Sequence, residues 1–253
     1  GVDGSTPAPY INNLKLQAAD FIWEASIKDE TFISVEKNVQ FGSKPIFSFI
    51  ISVDDIRKRE MKEKIGSDYF LIEADIFPST ISRYEKSKIL GFNHIKCWKK
   101  ALEMNLDGAL FFEDDVVFIK NWRNILSKFI QMKSPDIVRL DSLPYRILQE
   151  NQDVTFYLAI FPYCMGGYYL SKNAIKYLAN YFDNIKWKWE TCEFAFAEAF
   201  QLFHDSIYTS TPRLCIQDWY NQPKSLIQSD SHMKKITDAQ IIYLSKYRKF
   251  YNI

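Results

Sequence analysis

Short apolar runs with β-like character alternate along the chain with longer segments of helical periodicity. The runs Ile46 to Val53, Ala109 to Phe112 and Ile137 to Asp141 are typical of short buried strands. Between such runs, apolar residues recur at helical spacing, most clearly at Trp122, Ile125, Leu126, Phe129 and Ile130. This alternation predicts an α/β protein with a mixed, mostly parallel sheet flanked by helices.

Capping residues mark the starts of several predicted helices. Asp54 or Asp55 can cap a helix after the first strand, and Ser82 precedes Glu85 with the spacing of a capping box. Ser171 can cap a later helix in the same way. These signals place a helix after a strand at successive points of the chain.

The two ends of the chain are less informative. Residues 1–44 indicate a short helix around Leu14 to Trp23 and a strand around Thr31 to Val35, and we assign this extension no function. The segment Thr237 to Phe250 has helical spacing and basic neighbours, which predicts an amphipathic helix. Packing on its own domain is the simpler interpretation, and peripheral contact with an anionic membrane is the alternative.

Composition excludes several classes of protein. The 253 residues include 32 basic and 31 acidic side chains, and a formal charge of +1 gives no global field to attract nucleic acid. The four cysteines form no C-x-x-C pair, so neither a zinc knuckle nor a redox motif is indicated.

No apolar run approaches the roughly 20 residues that a membrane-spanning helix needs, and no secretory signal opens the chain. We therefore expect a soluble protein and favour a cytoplasmic location. The first residue is Gly1 rather than methionine, which is compatible with a processed chain that has lost a targeting segment.

Three consecutive acids interrupt an apolar run between Phe111 and Phe118. Glu113, Asp114 and Asp115 follow a predicted strand, where burying an unpaired carboxylate would be costly. In open α/β sheets ligands bind at the carboxyl ends of strands, so a divalent cation with an anionic ligand is the natural compensation. The alternative is a surface turn with solvated acids.

Further polar residues follow other predicted strands. Asp141 ends the strand that begins at Ile137, and Arg57 on the first helix could meet a diphosphate, although it could equally belong to a solvated face. Gly166 and Gly167 leave two consecutive positions without side chains, so a ligand or another chain could approach there. His94 lies in a predicted helix, where a single histidine is more often structural than a ligand.

The order of these motifs resembles glycosyltransferase family 25, the lipooligosaccharide and collagen β-galactosyltransferase family. The similar segments cover about Ile46 to Ser231 and are, in order, Ile50 to Met61, Gly91 to Trp98, Glu113 to Asp115, Gly166 to Ala174, Pro212 to Gln217 and Gln228 to Asp230. The resemblance implies a GT-A fold in residues 45–253, a nucleotide-sugar donor, Mn²⁺ and inversion at the anomeric carbon.

The resemblance also implies site residues. The expected metal ligands are Glu113, Asp114 and Asp115, with His232 from the C-terminal loop as a further ligand. The donor, a UDP-sugar, is expected against the first strand and its helix, with Asp141 near the sugar. The expected donor-site residues are Val53, Asp54, Arg57, His94, Asp141, Gly166 and Gly167.

A general base must be a carboxylate near the acceptor hydroxyl. Glu193 falls where family members commonly carry an Asp, after the Gly-x-x-Tyr segment and its helix. Glu190, three residues earlier, is the second candidate, and Asp114 is also assigned to the catalytic set.

Two other classes stay open from the residues alone. A metal-dependent phosphodiesterase would use the same acidic cluster, although we would then expect more histidine ligands. A non-catalytic carbohydrate-binding module could keep the fold without the reaction. The residues do not choose between galactose and glucose as donor sugar, nor between lipopolysaccharide, a collagen-like protein and another glycan, glycolipid or glycoprotein as acceptor.

Overall fold

The computed structural model describes residues 26–40, 46–52, 55–66, 69–73, 80–141, 153–160, 165–189 and 191–217. The side chain of Glu193, in the helix Cys192–Phe200, lies outside the described part of the structure. Four other predicted site residues, namely Val53, Asp54, Glu190 and His232, lie outside the described residues, as do the predicted helices at the two ends of the chain.

The described residues form ten strands and five α-helices. The strands are β1 Ser26–Val35, β2 Ser48–Ser52, β3 Tyr69–Glu73, β4 Gly108–Glu113, β5 Val116–Phe118, β6 Ile137–Arg139, β7 Val154–Ile160, β8 Gly167–Ser171, β9 Ile207–Thr211 and β10 Cys215–Gln217. The helices are α1 Asp55–Ile65, α2 Arg83–Glu103, α3 Trp122–Lys133, α4 Lys172–Asn184 and α5 Cys192–Phe200.

Eight of these strands form one mixed sheet in the order β1-β7-β9-β6-β8-β4-β2-β3. The pairs β2–β3, β2–β4 and β6–β9 are parallel. Strand β8 runs antiparallel between β4 and β6, and β7 runs antiparallel to both of its neighbours. The predicted α/β class with a mixed sheet flanked by helices is confirmed.

Side chains alternate across this sheet and build a hydrophobic core on each face. Phe49 and Phe111 point to one face, where they join a cluster with residues of α2, α4 and α5. Ile50 and Phe112, one residue further along each strand, join a second cluster with residues of α1 and α3. The period of two in the strands therefore assigns each helix to a face.

Helix α2 begins as the sequence predicts. The Ser82 side chain accepts a hydrogen bond from the Glu85 amide at 3.2 Å, and the Glu85 carboxylate accepts from the Ser82 amide at 2.9 Å. Ser171 caps α4 by accepting from the Ala174 amide at 3.2 Å. These caps satisfy helix amides that have no partner within the helix.

Candidate active site

The carboxyl ends of β2, β4 and β6 and the start of β8 meet at one edge of the main sheet. Ile51 lies opposite Glu113 in the parallel pair, and Phe112 lies opposite Gly167 in the antiparallel pair. Arg139 at the end of β6 lies opposite Tyr168. The acidic motif, Asp141 and the two glycines are thereby brought to one edge of the sheet.

Asp114 is held by the neighbouring strand and helix. The hydroxyl of Ser52, the last residue of β2, donates to Asp114 Oδ2. The guanidinium of Arg57 on α1 lies 3.4 Å from Asp114 Oδ1. We expected Arg57 at a diphosphate, and in this structure it contacts a carboxylate of the acidic motif. Asp114 already has two protein partners and so is a weaker candidate for a metal ligand than the sequence indicates.

Glu113 is held by two elements that are distant in sequence. Gln217 Nε2 donates to Glu113 Oε2 at 2.8 Å, across 104 positions of the chain. The small sheet explains this contact, because β10 pairs with β5 and places Gln217 opposite Val116. On the other side, His94 Nε2 lies 3.5 Å from Glu113 Oε1.

Asp115 differs from both of these acids. Its Oδ1 atom is enclosed and has no hydrogen-bond partner within the part of the chain that the structure describes. Burial and the neighbouring Asp114 carboxylate raise the pKa of Asp115 to about 6, while Arg57 and a hydrogen bond from Gln217 act in the opposite direction. The enclosed oxygen is therefore the best placed of the three acids to meet a cation.

Asp141 is a second buried acid at the same edge. Burial raises the pKa of Asp141 to about 6, although Arg139 and Arg213 lower it. The Arg139 guanidinium lies 3.7 Å from Asp141 Oδ1, and Arg213 donates to the backbone carbonyl of Asp141 at 3.5 Å. Neither carboxyl oxygen meets hydrogen-bond geometry with a described residue, although the Gly166 amide also lowers the pKa.

The two consecutive glycines leave space for different neighbours. A Cβ atom on Gly166 would lie 2.7 Å from Asp141 Oδ2 and 2.8 Å from Gln217 Cγ. A Cβ atom on Gly167 would lie 2.5 Å from the sulfur of Cys215 and 3.1 Å from the Phe112 ring. At each glycine, at least one of these contacts is shorter than 3.0 Å, which is closer than a Cβ atom can approach a neighbour. Gly166 therefore lets Asp141 and Gln217 approach one backbone position, while Gly167 lets the core close beneath them.

His94 lies in the core and not on a cleft surface. Its side chain is fully buried, and burial together with the nearby Arg139 lowers the pKa of the imidazole to about 3. Its Nδ1 lies 2.8 Å from the hydroxyl of Tyr168. Such complete burial argues against the expected contact between His94 and a nucleotide, and it supports the structural role that we weighed beside it.

Of the two predicted bases, only Glu193 has a described backbone. Glu193 is the second residue of α5, and Thr191 caps this helix by accepting from the Phe194 amide at 3.4 Å. The Cys192 amide donates to Ser87 Oγ of α2 at 2.7 Å, which fixes the start of α5 against α2. The backbone of Glu193 thus lies in the first turn of a helix whose start is fixed against α2.

A divalent cation fits this edge through Asp115, because carboxylate oxygens are its preferred ligands. Glu113 and Asp114 are already engaged by protein partners. Among the described residues, no group of three or more His, Cys, Asp or Glu side chains converges as a metal site. A full ligand set therefore needs residues outside the described ranges or oxygens of a bound diphosphate.

Several residues at this edge escaped the sequence interpretation as site residues. Ser52 and Gln217 lie in segments that resemble the family, but they reach the acidic motif only through strand pairing, which the local sequence does not show. Arg139 did carry a signal, since a charged residue inside the apolar run before Asp141 needs a buried partner.

Comparison with known proteins supports a glycosyltransferase. Residues 91–194 match the family model for glycosyltransferase family 25, described as LPS biosynthesis protein. The resemblance to family 25 is confirmed. The family 25 segment runs from Gly91 in α2 to Phe194 in α5 and contains the acidic motif and both glycines. Ser52, Arg57 and Gln217 lie outside the matched range.

Two solved structures show weak similarity to this chain. Protein A197 from STIV is 13% identical, with a TM-score of 0.41 over 69% of this chain and 94% of its own. A glycosyltransferase involved in the glycosylation of the major capsid of PBCV-1 is 14% identical, with a TM-score of 0.39 over 75% of this chain and 100% of its own. Similarities of this size carry no functional inference. No curated protein matches the chain significantly, and no helix in the described ranges is long and apolar enough to cross a membrane.

Proposed function

We propose that this family 25 protein moves a hexose, galactose or glucose, from a UDP-sugar to a hydroxyl group of a glycan, glycolipid or glycoprotein. The proposal depends on one observation. Asp115 has an enclosed carboxylate oxygen without a hydrogen-bond partner among the described residues, at the edge where three strand ends meet. A buried carboxylate without compensation is costly, and a bound cation would supply that compensation.

Asp115 would hold a divalent cation such as Mn²⁺, and Asp114 would keep its place through Ser52 and Arg57. When bound, the cation supplies positive charge that stabilises the departing diphosphate. Arg57 would add charge on the same side, since about a third of its side chain is exposed beside Asp114. Arginine suits a diphosphate because its planar guanidinium can donate two parallel hydrogen bonds.

Asp141 would orient the sugar. Its two carboxyl oxygens have no hydrogen-bond partner within the described part of the chain, and sugar hydroxyls are suitable donors to them. Gly166 lets this carboxylate pack against the backbone, since a Cβ atom there would lie 2.7 Å from Asp141 Oδ2. In the same proposal, the nucleotide half of the donor would lie beside Arg57, at the strand ends of β2 and β4.

Glu193 would act as the general base, with Glu190 as the second candidate. The base takes the proton of the acceptor hydroxyl while that oxygen forms a bond to the anomeric carbon. The bond from the same carbon to the diphosphate breaks, and the leaving group carries away the electron pair. Attack opposite to the leaving group inverts the configuration. Helix α5 packs in the same core cluster as α2, α4 and β4, which supports this assignment.

A panel of nucleotide sugars tests the proposal through metal-dependent release of the nucleoside diphosphate. We expect UDP-galactose or UDP-glucose to be hydrolysed slowly with Mn²⁺ and not with a chelator. A phosphodiesterase would instead cleave generic phosphodiesters, and a non-catalytic module would do neither. Release from no nucleotide sugar, with Mn²⁺ and acceptor glycans present, would contradict the proposed transfer.

Asp115→Asn provides the residue-level test. The change keeps the shape and removes the charge, so we expect loss of Mn²⁺-dependent UDP binding in calorimetry with the fold retained. Asp107→Asn is the matched control. Asp107 is an exposed acid that directly precedes β4, whereas Asp115 follows the other end of that strand. Equal UDP affinity in both variants and the wild type would remove Asp115 from the site. Loss of turnover in Glu193→Gln or in Glu190→Gln, with UDP affinity retained, would decide between the two bases.

A further inference from the structure

A line of buried polar groups crosses the core beneath the acidic motif. Trp98 Nε1 donates to the Tyr168 hydroxyl at 3.0 Å, and the same hydroxyl lies 2.8 Å from His94 Nδ1. His94 and Trp98 are one turn apart on α2, while Tyr168 comes from β8. All three side chains are fully buried.

The donors and acceptors in this line can be assigned. Indole nitrogen only donates, so the Tyr168 oxygen accepts from Trp98. The His94 side chain is fully buried, which disfavours a charged imidazole, so the ring carries one N–H. Its Nε2 faces Glu113 Oε1 at 3.5 Å, and a carboxylate only accepts. The proton therefore belongs on Nε2, and Nδ1 accepts from the Tyr168 hydroxyl.

The line continues from the core into the candidate site. The other oxygen of Glu113 accepts from Gln217 Nε2 at 2.8 Å. A hydrogen bond from Gln217 also acts on Asp115. One oxygen of Glu113 thus faces His94 Nε2, the other accepts from Gln217, and Gln217 connects Glu113 to Asp115. The 3.5 Å contact between His94 and Glu113 does not meet hydrogen-bond geometry, and the buried Nε2 has no other hydrogen-bond partner among the described residues, so a small shift of Glu113 decides whether the bond forms.

We propose that His94, Tyr168 and Trp98 are positioning residues that orient Glu113 and the Gln217 carboxamide, and through them aim Asp115 at its ligand. The inference rests on the proposed function, because it assigns Asp115 a cation to meet. It gives Glu113 the role of an internal acceptor and removes it from the metal ligands. Partners of this kind fix the orientation of metal ligands, and their loss commonly weakens metal binding about tenfold or more.

The first test needs no activity. The chain has three histidines, so ¹⁵N-histidine NMR can resolve the imidazole nitrogens of His94, with His94→Gln assigning its signals. We expect a neutral ring with its proton on Nε2 at pH 7. A proton on Nδ1 would reverse the order of donors and overturn the proposal, whatever the protein catalyses.

The second test measures the affinity for Mn²⁺ in the presence of UDP by calorimetry. Tyr168→Phe keeps the ring and removes the shared hydroxyl, so we expect affinity to fall about tenfold or more. Phe111→Leu is the control, because Phe111 is buried and its ring stacks on Tyr168 at 5.2 Å without any polar atom. The control should lose stability in urea unfolding and keep its Mn²⁺ affinity.

Two substitutions of His94 distinguish a role in orienting Glu113 from a role in packing the core. A glutamine amide can donate from about the position of Nε2, whereas an asparagine amide reaches only about as far as Nδ1. We therefore expect His94→Gln to bind Mn²⁺ more tightly than His94→Asn. If Tyr168→Phe and His94→Asn lose stability like the control yet bind Mn²⁺ as the wild type does, the line is purely structural and the proposal fails. If the wild type binds neither Mn²⁺ nor UDP, the proposed function fails instead, and the positioning role with it.

Discussion

Helices α2 and α3 pack on opposite faces of the main sheet and bury very different side chains. The buried residues of α3 are all apolar, namely Trp122, Ile125, Leu126 and Phe129. Helix α2 buries polar or small residues among its apolar ones, namely Ser87, Gly91, Asn93 and His94. Only one of the two helices therefore follows a simple amphipathic pattern.

Helix α2 therefore contributes to the candidate active site as well as to the hydrophobic core. Ser87 of α2 accepts a hydrogen bond from the start of α5, and Gly91 leaves room for the Trp187 ring, which a Cβ atom would approach to 2.5 Å. His94 links β8 to the acidic motif. Ser87, Gly91 and His94 thus make contacts with other parts of the chain, whereas α3 supplies apolar contact area. Changes on α3 should therefore affect stability, and changes around α2 should affect binding as well.

The largest effect on stability should come from Phe129→Ala on α3. The Phe129 ring is fully buried, stacks on Phe156 at 3.8 Å and meets Tyr208 edge-on at 5.0 Å. Removing it leaves a cavity, and we expect the free energy of unfolding to fall by about 3–5 kcal/mol. Urea unfolding followed by circular dichroism measures this loss. A change in the UDP affinity of the folded variant would show that the two helices are not separable in this way.

A smaller effect should distinguish the two glycines that precede and begin β8. In Gly167→Ala the new methyl group meets Cys215 and Phe112 in the core, so we expect a loss of about 1–3 kcal/mol in unfolding free energy. In Gly166→Ala it meets Asp141 and Gln217, whose side chains can move aside. We expect Gly166→Ala to keep more stability and to lose about tenfold or more in Mn²⁺-dependent activity. A Gly166→Ala variant as active as the wild type would contradict this distinction between Gly166 at the site and Gly167 in the core.

The smallest effect should come from Ser82→Ala at the start of α2. Loss of the cap should lower the unfolding free energy by about 1 kcal/mol and leave UDP binding unchanged, since the polar line begins three turns later. The bonds to Ser82 hold the pKa of Glu85 below its ordinary value of 4.5. A lowered pKa stabilises the fold above that value, and the contribution is lost as pH falls through the lowered pKa.

Urea unfolding at several pH values measures both parts of this prediction. The difference in stability between the wild type and Ser82→Ala should narrow at acidic pH. A difference that grows as pH falls would mean that Glu85 does not take part in the cap.

Much of the fold was predictable because its signals are local. The strands that lead to Glu113 and Asp141, the capping box at Ser82 and the cap at Ser171 depend on side chains within a few positions of one another. The direction of β8 was not predictable from such signals. The segment Tyr208 to Ile216 is interrupted at Pro212 and Arg213, and the strands on the two sides of this break belong to different sheets. The pairing partners that decide this are remote in sequence.

The sequence by itself determined that three acids end a buried strand, and that some ligand or partner must compensate them. Only the tertiary structure decided how the three differ. Asp114 meets Ser52 and Arg57, and Glu113 meets His94 and Gln217. These partners come from other elements, and strand pairing and helix packing bring them to the acids. Three adjacent carboxylates are nearly equivalent as a sequence, and they become distinct only when burial and remote hydrogen bonds leave one enclosed oxygen of Asp115 without a donor among the described residues.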